Sequence, residues 1–352
     1  HAGKPYSIKI RGHVMITSAE KLPKLLARIF NINRVPMIHG SPGVGKSAII
    51  AEFARDNNLK LIDVRLSQRT PTSLNGFGRI NNGTNKSEFI PFSDFPLEGE
   101  PIPKGYDGYL LFLDEITSAS LQVQAATYQL TLDKEIGSKK LHPECYVVCA
   151  GNKSTDGAIV NRMGTASQSR MIHLELEADK DSWLAYADRT NLDYRITAYV
   201  NFKPSIINSF KPDHKDLTFT CGRTLEFASE LIKDVTELGE DDLILLSGTL
   251  GEGNAKEFYG FCSVFKELPS LKEIIANPEG ATLKEEPNFM FGVSSFVGEN
   301  MNESNIEQLI KYLLRFRPEF QAITTQKAYR GNPALISNPH LIKWVDSVSL
   351  YF

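Results

Sequence analysis

Apolar positions along the chain follow two rhythms, and the rhythm changes near residue 178. In the first half, strand-length apolar runs occur at Val35 to His39, Leu59 to Leu66, Gly108 to Leu113, Cys145 to Ala150 and Met171 to Leu176. They are nearly continuous in apolar residues, the form of parallel strands buried on both faces. Stretches with helical period predict helices over Ser18 to Phe30, Ala48 to Asn57 and Ala119 to Leu132. Thr17-Ser18-Ala19-Glu20 has the form of a capping box opening the first of these, and Thr70-Pro71-Thr72-Ser73 opens a short helix near Leu74. Strands alternating with helices predict an α/β fold, a parallel sheet sandwiched by helices through right-handed crossovers.

Residues 76–103 break the alternation with glycine, asparagine and proline and with short extended pieces such as Ser87 to Ile90, which predicts an inserted hairpin and loop. Beyond Glu177 the strand rhythm fades. Helical patterns follow at 181–187, 193–201 and 224–236, then at 241–250, 255–265, 305–316 and 339–348, with a Pro/Gly-containing interruption over 277–292. The expected organisation is an α/β domain over 1–177, a helical lid over 178–238 and a mainly helical extension over 239–352. No repeat or low-complexity tract interrupts it.

The chemistry concentrates where apolar runs end. Gly40-Ser41-Pro42-Gly43-Val44-Gly45-Lys46-Ser47 fits G-x-x-x-x-G-K-[ST] at every fixed position, between an expected strand and an expected helix. Glycines there let the backbone take φ > 0 and turn N–H groups inward, beside the positive end of the following helix, so the octapeptide reads as a phosphate cradle. Lys46 would reach the β- and γ-phosphates and the Ser47 hydroxyl would ligate Mg²⁺. The blander reading is a glycine-rich turn, which the strand–loop–helix context disfavours.

Gly108 to Leu113 ends in Asp114 and Glu115. Strand alternation sends these carboxylates opposite ways. Asp114 is expected to hold the Mg²⁺ hydration shell and Glu115 to orient and deprotonate the water that attacks the γ-phosphate. A strand ending in two solvated acids is the alternative, and the neighbouring cradle counts against it.

The bulk numbers fit this picture. The chain has 352 residues, 41% of them hydrophobic and 23% charged, enough for two or three units with one substantial core. A net charge of −3 argues against a surface dominated by nucleic-acid binding, although Lys139-Lys140 and Arg79 could line a basic pore. No apolar stretch approaches the ~18 residues of a membrane span and no signal-peptide pattern opens the chain, so a cytoplasmic location without membrane contact is expected. Cys145 and Cys149, two strand repeats apart, are expected on one face as buried free thiols; with Cys221 and Cys262 they suggest neither disulfides nor a metal cluster.

Taken in order, the motifs resemble those of AAA+ ATPases, and within them the MoxR and dynein-related branch. GSPGVGKS at 40–47 resembles Walker A, and LLFLDEI at 110–116 followed by Thr117-Ser118-Ala119 resembles Walker B with its continuation. TPTSLNGFG at 70–78 resembles the segment opening the branch's insert. Val148-Cys149-Ala150-Gly151-Asn152 resembles the sensor 1 strand with Asn152 in its polar position. Gln168-Ser169-Arg170-Met171 resembles the arginine-finger segment, and Cys221-Gly222-Arg223-Thr224-Leu225 resembles sensor 2 at the start of a lid helix. The motifs span about 35 to 227.

The resemblance implies ATP and Mg²⁺ as ligands and a ring, usually hexameric, with nucleotide at subunit interfaces. Asn152 would position the attacking water with Glu115, Arg170 would act on a neighbour's γ-phosphate, and Arg223 would couple hydrolysis to lid rotation. Ser169 stands where the branch usually has an acid, and Arg162 is a rival finger. Arg170 is preferred because it immediately precedes a strand. The implied work is remodelling of a partner protein, by family habit often one with a von Willebrand factor A domain; a ring-shaped nucleic-acid motor or loader is the alternative. Glu115 argues against a non-hydrolysing switch.

Overall fold

The computed structural model describes residues 10–11, 14–156, 161 and 163–348. The chain forms two compact units, one of residues up to Ala178 together with Lys211–Asp213, the other of Asp179–Phe210 and the residues from His214 onward.

The first unit is built on β1 (Ile10–Arg11), β2 (Val14–Thr17), α1 (Leu22–Asn31), β3 (Val35–His39), α2 (Lys46–Asp56), β4 (Leu59–Arg65) and α3 (Pro71–Asn75). A hairpin of β5 (Phe77–Asn81) and β6 (Lys86–Ile90) follows, then β7 (Gly108–Asp114) and α4 (Leu121–Leu132). A small hairpin of β8 (Glu135–Ile136) and β9 (Lys139–Lys140) leads to β10 (Cys145–Gly151), α5 (Thr165–Gln168) and β11 (Met171–Leu176). The main sheet has the order β1-β2-β11-β3-β10-β7-β4. From β2 to β4 all neighbours pair in parallel, and β1 joins β2 antiparallel. This is the α/β arrangement that the alternating apolar runs predict.

Both faces are packed. Leu22 and Leu26 of α1 and Ile50 and Phe53 of α2 cover one face, against Ile38, Leu110, Phe112 and Val148. Val123 and Leu130 of α4, with Leu74 and Phe95, cover the other, against Met37, Leu111, Leu113, Val147 and Cys149. Every residue of β7 is buried, as expected of an interior parallel strand. Fully burying each of its large apolar side chains contributes on the order of 2 kcal/mol, which fixes the register that delivers Asp114 and Glu115 to the sheet's C-terminal edge. Cys145 and Cys149 fall in the same cluster as free thiols, and burial pushes both up to about 12.

Two expectations are corrected here. The first helix starts at Leu22, not Ser18, because Thr17 is the last residue of β2, paired with Leu176 of β11. Ser18 to Lys21 then form a turn whose Ser18 carbonyl accepts from the Lys21 and Leu22 N–H groups, and Pro23 sits in the first helical turn. In the second unit, the interruption expected over 277–292 ends at Glu286, where a long helix begins.

That second unit contains α6 (Lys180–Arg189), α7 (Tyr194–Phe202), α8 (Gly222–Ile232), α9 (Glu240–Leu250), α10 (Glu252–Cys262) and α11 (Leu271–Ala276). It continues with α12 (Pro287–Asn300), α13 (Ile306–Leu313), α14 (Pro318–Gly331) and α15 (Pro339–Val348). Phe289, Val293, Leu309, Tyr312 and Leu313 form part of its core. Buried Lys327 of α14 bonds Asp188 of α6 at 2.7 Å and Glu299 of α12 at 2.9 Å, so the segments expected as lid and extension are tied within this one unit. Among the described residues no helix is long and apolar enough to cross a membrane.

Candidate active site

The strands' register gathers the expected residues at one edge. Gly151 of β10 pairs with His39 of β3, and Cys149 pairs with Leu113 of β7, so the residues after all three strands emerge side by side. The loop 40–45 joins β3 to α2 with left-handed backbone at Gly43 (φ 75°) and Gly45 (φ 97°), conformations that favour glycine. Gly40 is required for another reason: a Cβ there would stand 2.9 Å from Val44 Cγ1 and 3.0 Å from the Leu176 carbonyl. Pro42 lies in the turn and Val44 packs against the apolar cluster under α2. The loop therefore leads into the N-terminal turn of an 11-residue helix, whose N–H groups and dipole make an anion cradle.

Lys46 is nearly buried, and its Nζ donates to the Gly40 carbonyl at 2.6 Å, the Ser41 carbonyl at 3.2 Å and Asn152 Oδ1 at 3.2 Å. Asn152, expected to position the attacking water, thus lies against the cation expected to bind the phosphates. Ser47 Oγ donates to Asp114 Oδ2 at 3.0 Å. Two hard oxygen donors side by side next to a phosphate cradle suit Mg²⁺, and the residues present fit that ion. Glu115 leaves the strand in left-handed backbone (φ 58°), its N–H bonded to Asp114 Oδ1 at 2.7 Å and its carboxylate accepting from the Ser67 hydroxyl. Asp114 and Glu115 therefore point to different partners, set apart by the left-handed turn at Glu115, since β7 ends at Asp114.

Three supporting residues were not apparent in the sequence. Asp156, buried, accepts from Ser41 Oγ at 3.2 Å and from the Lys153 N–H at 3.2 Å. Thr117 accepts from the Asn152 N–H at 3.0 Å and donates to the Asn152 carbonyl at 3.3 Å. Ser67 follows the edge strand β4. The carboxyl of Asp63, on β4, is raised by burial and then by the nearby Asp114 and Glu115 carboxylates, against the opposing Arg65. That crowding of acids is what a bound cation would relieve.

The arginines lie elsewhere. Arg170 is exposed and precedes Met171, which pairs with Val35 at the start of β3. The cradle follows the other end of β3, roughly 15 Å away for a five-residue strand. Arg223 is exposed in the first turn of α8, in the second unit. Arg162 lies outside the described residues. Lys139 and Lys140 are exposed on β9 and Arg79 is exposed on β5, opposite Glu88.

Fold and site together define a P-loop α/β unit. No family model matches the chain, and no curated protein matches it. Among solved structures, it is similar to a candidate ATPase from Cytophaga hutchinsonii, at 12% identity over 95% of this chain and 89% of that one, with a TM-score of 0.36. It is also similar to a mutant RuvB from Thermotoga maritima, at 14% identity over 84% of this chain and 86% of that one, with a TM-score of 0.37.

Proposed function

We propose that the chain is an ATP-hydrolysing AAA+ protein of MoxR type that works as a ring, with nucleotide between neighbouring subunits, and remodels a partner protein. The observation that carries the reading is the convergence of Lys46, Ser47, Asp114 and Asn152 on the loop 40–47, with Glu115 one residue beyond.

In this reading the loop's N–H groups and Lys46 hold the β- and γ-phosphates, exchanging the lysine's bonds to Gly40, Ser41 and Asn152 for phosphate oxygens. Ser47 and Asp114 would hold Mg²⁺, which supplies charge neutralisation at those phosphates. Glu115 accepts the proton of the attacking water, and Asn152, kept in place by Thr117, orients that water. Arg170 stabilises charge on a neighbour's γ-phosphate. Its position at the far end of β3 from its own cradle supports a trans role. Arg223 reports the γ-phosphate to the helical unit, in which 178–238 acts as the lid and 239–352 as an extension. The insert at 76–103, with Phe77, Ile80 and Phe89 exposed on its hairpin, is the partner-facing element. A von Willebrand factor A domain is the partner class that the motif resemblance suggests.

The test is Mg²⁺-dependent ATP hydrolysis by the purified protein, with Lys46→Ala and Glu115→Gln beside it. Lys46→Ala is expected to lose nucleotide binding. Glu115→Gln is expected to keep binding, to be isolated as a nucleotide-filled ring and to turn over ~10²-fold more slowly. Near-wild-type turnover by Glu115→Gln removes the carboxylate from the mechanism. Retention of single-stranded nucleic acid by that ring, in place of a von Willebrand factor A domain, shifts the reading to a nucleic-acid motor.

A further inference from the structure

His39 ends β3, directly before the cradle's Gly40, and His173 lies on the neighbouring β11, where Glu175 pairs with His39 and His173 with Met37. Residues 37 and 39 of β3 and 173 and 175 of β11 therefore share a face of the sheet. The two imidazoles stack with centroids 5.2 Å apart and planes inclined by 19°. His39 Nε2 is 2.9 Å from His173 Nδ1, and His173 Nε2 is 2.9 Å from the carbonyl oxygen of Gln168.

With both rings neutral, these three groups fix the protons. A carbonyl only accepts, so His173 Nε2 carries hydrogen. In the neutral ring Nδ1 is then a bare acceptor, and the proton between the rings belongs to His39 Nε2. The result is a directed chain, from His39 to His173 to the Gln168 carbonyl. The neutral state of its first ring is enforced locally: burial, then His173, with Lys46 and Lys153 behind, lower His39 to about 4, against the opposing Glu175. Gln168 is itself anchored, its N–H to the Gly164 carbonyl at 3.2 Å and its side-chain amide to the Met163 carbonyl at 3.0 Å. It stands two residues before Arg170.

We infer that His39 and His173 are positioning residues: they tie the segment 163–170, and with it the Arg170 guanidinium, to the phosphate-loop end of β3. A subunit then presents its arginine to its neighbour correctly only while its own β3 and cradle are in place, which links one site to the next around the ring. This rests on the trans reading of Arg170 given above.

Complementation distinguishes this from a general structural role. His173→Phe keeps a ring but loses both hydrogen bonds, and losing one such bond is about a tenfold effect. The variant is expected to bind nucleotide with wild-type Kd and to hydrolyse it about tenfold more slowly. Mixed with Glu115→Gln in exchanging rings it should regain activity, because its intact Glu115 meets a neighbour's well-placed Arg170. Mixed with Arg170→Ala it should gain none, since both would fail as arginine donors. His173→Gln, whose amide can donate to the Gln168 carbonyl, should retain most turnover. His39→Leu, which breaks only the ring-to-ring bond, serves as the second variant should His173→Phe not fold, with the same two mixtures expected to behave alike. Wild-type turnover in His173→Phe beside a defective Arg170→Ala overturns the inference, as does rescue of Arg170→Ala by His173→Phe. Wild-type turnover in Arg170→Ala instead overturns the trans reading itself.

Discussion

The Ser67 hydroxyl, just past the edge strand β4, donates a hydrogen bond to the carboxylate of Glu115, just past the buried strand β7. The two strands pair in parallel throughout, Arg65 against Asp114, so both residues are carried to the same edge by the sheet's own register. Asp114 turns to Ser47 while Glu115, with its left-handed backbone, turns to Ser67. Held by that hydroxyl, the carboxylate is drawn towards β4.

Ser67→Ala removes that restraint. Turnover by the resting protein is expected to rise by up to about tenfold, the scale of one hydrogen bond to a charged group, with nucleotide affinity unchanged. Steady-state hydrolysis decides it. A fall in turnover means that Ser67 orients Glu115 productively and does not restrain it.

Gly151→Ala tests the support of Asn152. A Cβ at Gly151 would lie 2.5 Å from Thr117 Oγ1 and 2.7 Å from its Cγ2, so Thr117, which holds both the N–H and the carbonyl of Asn152, has to move. The effect should fall on the water-positioning step. A kcat lowered about tenfold at constant nucleotide Kd is expected. An equal loss in Kd would show that the alanine disturbs the cradle as a whole.

How far the sequence led depended on whether a residue's neighbours in space were also its neighbours in pattern. The cradle and the acids ending β7 were legible because strand, glycine loop and helix follow one another along the chain. Ser67, Thr117 and Asp156 were not, because each matters through a residue between 35 and 115 positions away. The same cause hid α12. Its first turns, up to Gly292, read as part of a Pro/Gly-containing break, yet the helix runs on to Asn300, and Gly298 lets α14 approach: a Cβ would meet Lys327 Cβ and the Thr324 carbonyl, each at 2.8 Å. The pairing of β2 with β11 displaced the first helix's start in a way no capping pattern could signal.

Gly298→Ala turns the close approach of α12 and α14 into a measurement. The Thr324 carbonyl belongs to helical backbone and cannot give way as a flexible side chain would, so the two helices must separate. They would also strain the Lys327 bridges to Asp188 and Glu299. A loss of about 1 to 3 kcal/mol in stability is expected, despite alanine's better helix propensity. A melting temperature equal to or above wild type would show that the contact is looser than this.

The sharpest solvent test concerns His39, whose imidazole is held at about 4 in the folded chain against an ordinary value of 6.5. The folded state therefore binds its proton less readily than the unfolded state does. Between those two values the unfolded chain takes up a proton that the folded chain refuses, so stability falls as pH drops from about 6.5 and the loss levels off below about 4. At 1.36 kcal/mol per unit the full effect is about 3 kcal/mol. His39→Gln keeps a donor for His173 Nδ1 and does not titrate. Urea denaturation at pH 7 and at pH 4.5 should then show the wild type losing about 2 to 3 kcal/mol more than the variant on acidification. Parallel losses in the two proteins would place the acid sensitivity elsewhere and leave His39 an unstrained base.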